Sequence, residues 1–241
     1  EITLESLLPD IEFNETFDAH SSQVTAAAFS EDTQRLATSG KDGLIKIWQL
    51  YAPKVNEEGN WIELIKELKG YASNVLDLDF VNHDTLISTG SDQTIKLWNI
   101  GKGTVQSEML GHTDSVKFAL YDTSLNQIIS ASDDASIRVW DLKKAEQVKS
   151  FKAEGGFVVA YDEASNTLAY SKNNQILMKN IVSGNTVGRV LFDQVPIHIA
   201  LGFNAKVSYL IYADRISVHK VASGEKINEV VLSDIEGIKQ V

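Results

Sequence analysis

One segment recurs three times without gaps, and this repetition limits the chain more than any other feature. The copies are Leu36–Trp48 (LATSGKDGLIKIW), Leu86–Trp98 (LISTGSDQTIKLW) and Ile128–Trp140 (IISASDDASIRVW). Each holds a hydroxyl residue (Thr38, Ser88, Ser130), an aspartate four later (Asp42, Asp92, Asp134) and a tryptophan six beyond that (Trp48, Trp98, Trp140). Upstream stand Ala19-His20 and Gly111-His112, while the second copy has Gly70-Tyr71 there. Such self-similarity is the signature of stacked units, each too small to bury its apolar face alone.

Two weaker copies follow. Asn174–Ile181 and Asp214–Val221 keep the strand pattern, but the tryptophan becomes Lys179 and His219. The intervals between the tryptophan positions are 50, 42, 39 and 40 residues. Five residues past that position lies Gly103, Gly184 or Gly224, with Ala145 as the exception. Glycine tolerates positive φ, so the marker predicts a tight hairpin turn. The long first interval contains a polar insertion, Tyr51–Asn60, expected to form a surface loop before Trp61.

Within the third unit, Val116–Tyr121, Gln127–Ala131, Ile137–Asp141 and Gln147–Phe151 are β-branched or apolar runs separated by Asp, Ser, Asn and Lys turns. They predict four short strands, and helical periodicity is weak throughout. The 241 residues suffice for a sizeable core, and a hydrophobic fraction of 43% argues against wholesale disorder. The absence of cysteine excludes a disulfide framework, a zinc-thiolate site and a thiol nucleophile. No apolar run approaches ~18 residues, so no membrane-spanning helix is expected. A net charge of −11 argues against a general phosphate-binding surface.

The repeats resemble the WD40 family, whose pattern is Gly-His, a hydroxyl residue, Asp and then Trp-Asp at a period of about 40–45 residues. The likeness covers roughly residues 13–232. Gly111-His112, Ser130, Asp134 and Trp140-Asp141 match the pattern completely, whereas Trp48-Gln49, Trp98-Asn99 and Tyr71 depart from it. The resemblance implies an all-β propeller of four-stranded blades. It also implies a structural tetrad in which tryptophan donates to the hydroxyl residue, the hydroxyl bonds the histidine, and the histidine bonds the aspartate. Expected blades span about 20–68, 69–110, 111–151, 152–192 and 193–232, after an acidic tail over 1–11. A partial blade is expected from 233–241 with 12–19. Rings of this family usually hold about seven blades. The sequence opens at Glu1 rather than Met, so the chain is expected to be a piece of a longer protein. A missing C-terminal segment or a partner chain would complete the ring.

His20, Thr38, Asp42, Trp48, Tyr71, Ser88, Asp92, Trp98, His112, Ser130, Asp134 and Trp140 are therefore read as structural. Ser130, His112 and Asp134 invite comparison with a hydrolase triad, but an enzyme needs one site and this trio recurs in part beside each tryptophan. No catalytic residue, metal or cofactor is expected. The five histidines show no i, i+4 spacing, and Gly101-Lys-Gly103 lacks the full phosphate-loop pattern. Candidate partner contacts on the loops are Lys41, Tyr71, Asn74, Gln93, Asp114 and Asp133. Residues 1–20 carry six acids and no Lys or Arg, a stretch that reads as a solvated tail or as a dock for a basic partner surface. The insertion Tyr51–Asn60 with Trp61 is a second candidate contact. The degenerate fourth and fifth units are a third.

These features predict a non-enzymatic intracellular scaffold, in cytoplasm or nucleus, that holds other proteins or peptides within a multi-subunit complex. One alternative is a component of an RNA-containing particle, such as a ribosome-assembly complex, held by protein contacts. Direct nucleic-acid binding is not expected: Lys143-Lys144 with Lys149 is the nearest thing to a basic cluster and reads as a solvated edge strand. The other alternative is an enzyme on a propeller scaffold, for which no convergent cluster is seen.

Overall fold

Every unit folds as a four-stranded antiparallel meander, because short alternating runs are joined by turns that tolerate positive φ. A computed structural model describes residues 17–32, 34–51, 62–71, 73–153 and 159–232. The acidic tail, the expected partial blade apart from residues 17–19, and the insertion with Trp61 (apart from Tyr51) lie outside the described residues.

The first sheet contains β1 (Val24–Phe29), β2 (Arg35–Gly40), β3 (Leu44–Leu50) and β4 (Ile62–Lys69). The second contains β5 (Val75–Asn82), β6 (Thr85–Gly90), β7 (Ile95–Asn99) and β8 (Thr104–Met109). The third contains β9 (Val116–Asp122), β10 (Gln127–Ser132), β11 (Ser136–Asp141) and β12 (Glu146–Lys152). The fourth contains β13 (Val159–Asp162), β14 (Thr167–Lys172), β15 (Gln175–Asn180) and β16 (Thr186–Leu191). The fifth contains β17 (His198–Gly202), β18 (Val207–Ile211), β19 (Arg215–Lys220) and β20 (Lys226–Val231).

The sheets stack face to face like propeller blades. Each turns an aliphatic face toward the next sheet and its tryptophan-position face toward the one before. Ala37, Ile45, Ile47 and Leu68 meet Leu78, Leu86 and Trp98 across the first junction. Ile87, Ile95, Leu97 and Met109 meet Val116, Ile128 and Trp140 across the second. Ile129, Ile137 and Val139 meet Leu168 and Tyr170, and Ile176, Met178 and Val190 meet Ile199, Leu210 and Tyr212. Burying each such side chain contributes about 1.5–3 kcal/mol, so the junctions carry most of the core. Strands β1, β5 and β9 lie side by side, as do β13 and β17.

A bulge recurs in all five sheets between the third and fourth strands. It falls at Ile47/Trp48, Leu97/Trp98, Val139/Trp140, Met178/Lys179 and Val218/His219. The fourth and fifth sheets therefore keep the irregularity at the tryptophan position although the indole is gone. The turn marker is also conformational. Gly103, Gly184 and Gly224 have φ of 71°, 76° and 72°, and Ala145 adopts the same left-handed conformation at 55°. In each turn that residue's N–H reaches the carbonyl four residues back, at Asn99, Asn180, Lys220 or Asp141. The residue after the tryptophan position caps three of these turns through its side chain. Asn99, Asp141 and Asn180 each accept from following backbone N–H groups, which is why Asn substitutes for Asp.

Candidate functional site

The polar chains form in the first and third sheets. His20 Nδ1–H donates to Asp42 at 3.0 Å, its Nε2 lies 3.0 Å from Thr38 Oγ1, and Trp48 Nε1–H donates to that same oxygen at 2.8 Å. In the third sheet His112 Nδ1–H donates to Asp134 at 2.8 Å. Its Nε2 lies 2.8 Å from Ser130 Oγ, which accepts from Trp140 Nε1–H at 2.8 Å. A carboxylate on Nδ1 fixes the tautomer, so Nε2 accepts the hydroxyl proton. Burial holds the His112 imidazole below its usual pKa, against the pull of Asp134. Burial works against the Asp134 carboxylate, but bonds from Ser136, His112 and the Thr113 backbone outweigh it and take the group down to about 2.

Ser130, His112 and Asp134 thus have the distances of a hydrolase triad. Ser130 is nevertheless fully buried, and its oxygen is already the indole's acceptor. The chain braces the blade from inside, where an unpaired polar group would be costly.

The second sheet departs from this plan. Tyr71 sends its hydroxyl to Ser88 Oγ at 2.9 Å, and Trp98 Nε1–H donates there at 2.6 Å. Tyr71 does not reach Asp92, which is held instead by Thr94 and by Lys96 Nζ at 3.4 Å. The buried Lys96 ammonium lies 4.6 Å from the Tyr71 ring centroid. A lysine over an aromatic face replaces the histidine–carboxylate bond. The larger ring fits because Gly90 faces it: a Cβ at Gly90 would come within 2.3 Å of Tyr71 Cε1. In this blade the hydroxyl is therefore not linked through Tyr71 to the carboxylate of Asp92.

The other loop candidates are spread around the rim on the side of the aspartate turns. Lys41, Gln93 and Asp114 are exposed, and Gln93 has φ of 72°. Asp133 pairs with Lys117 at 3.0 Å, and the Asn74 carbonyl accepts the Ser91 N–H at 3.0 Å. Among the described residues, no group of three or more His, Cys, Asp or Glu is arranged to hold a metal ion, and no helix is long and apolar enough to cross a membrane. Of the basic cluster read on the third unit, Lys143 and Lys144 are exposed and Lys149 is engaged. Lys149 Nζ donates to the carbonyls of Ile181 and Val182 and ties the third sheet to the fourth.

Sequence reasoning missed a pair of carboxylates. Asp77 and Asp79 project from β5 and accept the backbone N–H of Ala119 (3.0 Å) and Tyr121 (2.7 Å) on β9. Burial pushes the Asp77 carboxyl up to about 6, with Asp79 adding to the shift against bonds from Ala119 and Leu78. Burial raises Asp79 as well. The unfolded value is about 3.9, so between about pH 4 and 6 the folded chain holds a proton that the unfolded chain has lost. This contribution is full below about pH 4 and disappears as pH rises through 6. Asp77→Asn is expected to reduce the fall in stability between pH 4.5 and 7 by on the order of 2 kcal/mol, read from urea midpoints. Equal pH slopes for the two proteins would contradict it. Asp42 and Asp134 are shifted downward, so their contribution is lost in more acid solution, below about pH 4.

Comparison with known proteins agrees with the geometry. Residues 11–49, 62–99 and 103–141 match the model of the WD domain, G-beta repeat. The chain is 37% identical over 148 residues to the nuclear distribution protein nudF of Aspergillus niger, covering 59% of this chain and 31% of that protein. It is 31% identical over 144 residues to autophagy-related protein 16 of Arabidopsis thaliana (58% and 26%). It is 28% identical over 144 residues to the probable coatomer subunit beta' of Schizosaccharomyces pombe (57% and 17%). The matched region thus spans less than a third of each of these relatives. With three matched repeats, indole-anchored polar chains and five sheets of one topology, the chain belongs to the WD40-repeat family.

Proposed function

We propose that this protein is a non-enzymatic intracellular scaffold that holds partner proteins or peptides in a multi-subunit assembly. The observation that supports it is the inward use of the reactive-looking groups. His20, His112, Asp42, Asp134, Thr38, Ser88 and Ser130 bond one another or an indole inside the blades, leaving loops on a stiff frame for recognition. The contact surface is the rim bearing Lys41, Asn74, Gln93, Asp114 and Asp133, with the edge of Tyr71.

The blades run over about 20–68, 69–110, 111–151, 152–192 and 193–232. On the far face of the fifth, Tyr209, Ile211, Ile216 and Val218 are only partly covered, whereas the matching Ile45 and Ile47 of the first sheet are fully buried. A further repeat or a partner chain covers that face.

The test is affinity capture of the protein with mass spectrometry, followed by the double variant Lys41→Glu/Asp133→Lys. Capture of a partner is expected to fall about tenfold or more, with stability changed by less than about 0.5 kcal/mol. Undiminished capture would remove this rim from the reading. Hydrolytic turnover abolished by a rim substitution that leaves folding intact would overturn the non-enzymatic assignment.

A further inference from the structure

Four junctions join the five described sheets, and one position decides how the outer strand of each sheet meets the next sheet's turn. It is the residue paired with the position just before the indole: Lys66 on β4, Ser107 on β8, Lys149 on β12 and Gly188 on β16. The Lys66 stem lies against the β7–β8 turn, 3.4 Å from where a Cβ on Gly103 would stand. Lys149 Nζ donates to the Ile181 and Val182 carbonyls of the β15–β16 turn. At Gly188 the backbone itself approaches Val221, at the start of the β19–β20 turn. Ser107 is too short to do what the lysines do. It faces Leu142 and Lys143, in the β11–β12 turn, across a cavity of about 360 Å³.

This space differs in charge from the larger cavity, about 730 Å³, beside His219 between the fourth and fifth sheets. There the charged groups satisfy one another: Arg215 pairs with Asp214 at 3.1 Å and with Asp193 and Glu229 at 3.7 Å, and Lys226 pairs with Glu229 at 3.0 Å. Between the second and third sheets, Val81, Leu97 and Leu142 form an apolar wall, and Thr85, Ser107 and Lys143 a polar one. Among the described residues, neither hydroxyl nor the Lys143 ammonium has a side-chain partner, and no carboxylate lines the space. Of the acids on the flanking turns, Asp84 is held by Arg35 at 3.2 Å and Asp141 by the backbone N–H groups of Lys143 and Lys144. Glu146, which opens β12, is exposed and does not line the cavity. Lys144, next along the turn, is exposed and has no ion pair either. An ammonium without a counter-charge, beside free hydroxyl donors and an apolar wall, suits a carboxylate carried next to an apolar group.

We propose that the junction of the second and third sheets docks a partner segment in which an aspartate or glutamate adjoins an apolar side chain. The carboxylate pairs with Lys143 and accepts from Thr85 and Ser107, while the apolar neighbour packs on Val81, Leu97 and Leu142. Lysine stems and close backbone occupy the equivalent places at the other junctions, so this one alone of the four leaves a place for a partner's side chain beside a free base. The proposal deepens the scaffold reading and rests on it. It places the contact at the end of the sheets opposite the aspartate turns, away from the rim bearing Lys41 and Asp133.

The whole chain would be panned against a displayed random seven-residue peptide library, and the enriched sequence titrated as a synthetic peptide. Enrichment of acidic–apolar peptides is expected, with binding weakened about tenfold or more by Lys143→Glu. Ser107→Leu, which fills the cavity and adds no charge, is expected to weaken binding similarly. Lys206→Glu makes the same charge change at an exposed, unpaired lysine of the fifth sheet and is expected to leave binding unchanged. Lys143→Glu alters an exposed turn residue and keeps the fold, so its effect is readable even if Ser107→Leu unfolds. Basic or no enriched peptides would overturn the proposal, as would equal losses from Lys143→Glu and Lys206→Glu. Peptides or captured partners whose binding depends on Lys41 and Asp133, and not on Lys143 and Ser107, would overturn it too while leaving the scaffold reading intact.

Discussion

Trp140→Ala is expected to lower the stability of the protein by about 3–5 kcal/mol, measured as a shift in the urea unfolding midpoint. Two separate losses add up. The indole is essentially fully buried at the junction of the second and third sheets, against Ile87, Ile95 and Met109, and its removal leaves a cavity. It also takes the N–H donor from Ser130, at the head of the chain running through His112 to Asp134. Trp140→Phe would separate the two, because it retains most of the ring and loses only the donor. That variant should cost about 1–2 kcal/mol. A loss below about 1 kcal/mol for Trp140→Ala would mean that the indole does not hold the junction together.

Gly188→Ala is expected to be nearly as damaging, although it adds a single methyl group. Gly188 lies on β16, where a Cβ would sit 1.9 Å from the backbone carbonyl oxygen of Val221, in the turn that follows β19. Real contacts never approach that distance, and the obstacle is backbone, so a rotamer change cannot relieve it. The fourth and fifth sheets must separate, at a cost of about 2–3 kcal/mol. A denaturation series would show it, together with greater exposure of Ile199, Leu210 and Met178 by hydrogen exchange on β15, β17 and β18. A variant as stable as the parent would show that this junction is looser than the close approach implies. The same interface is tight at Gly188 and open beside Leu191 and His219.

The strands of the third unit were legible almost to the residue. Val116–Asp122, Gln127–Ser132, Ser136–Asp141 and Glu146–Lys152 differ from the expected runs by only a residue or so at their ends. Period-two alternation and turn residues are local signals, and a meander needs little else. The polar chains of the first and third blades were legible for a related reason. A hairpin places Thr38 two pairs from Trp48 and Ser130 two pairs from Trp140, so spacing along the chain becomes distance across the sheet. The Lys96–Tyr71 contact was not legible. It depends on Gly90 leaving room for a larger ring, a property of the packed blade and not of the spacing.

The sequence alone therefore determined the repeating unit, its strands and the internal hydrogen-bonding groups of the complete repeats, because these arise between residues close along the chain. The tertiary structure decided what happens between sheets. Asp77 and Asp79 clasp β9, Lys149 reaches the carbonyls of Ile181 and Val182, Tyr170 fills one missing indole, and His219 leaves another unfilled. Those outcomes depend on the separation and angle of neighbouring blades, which no pattern within a single repeat encodes.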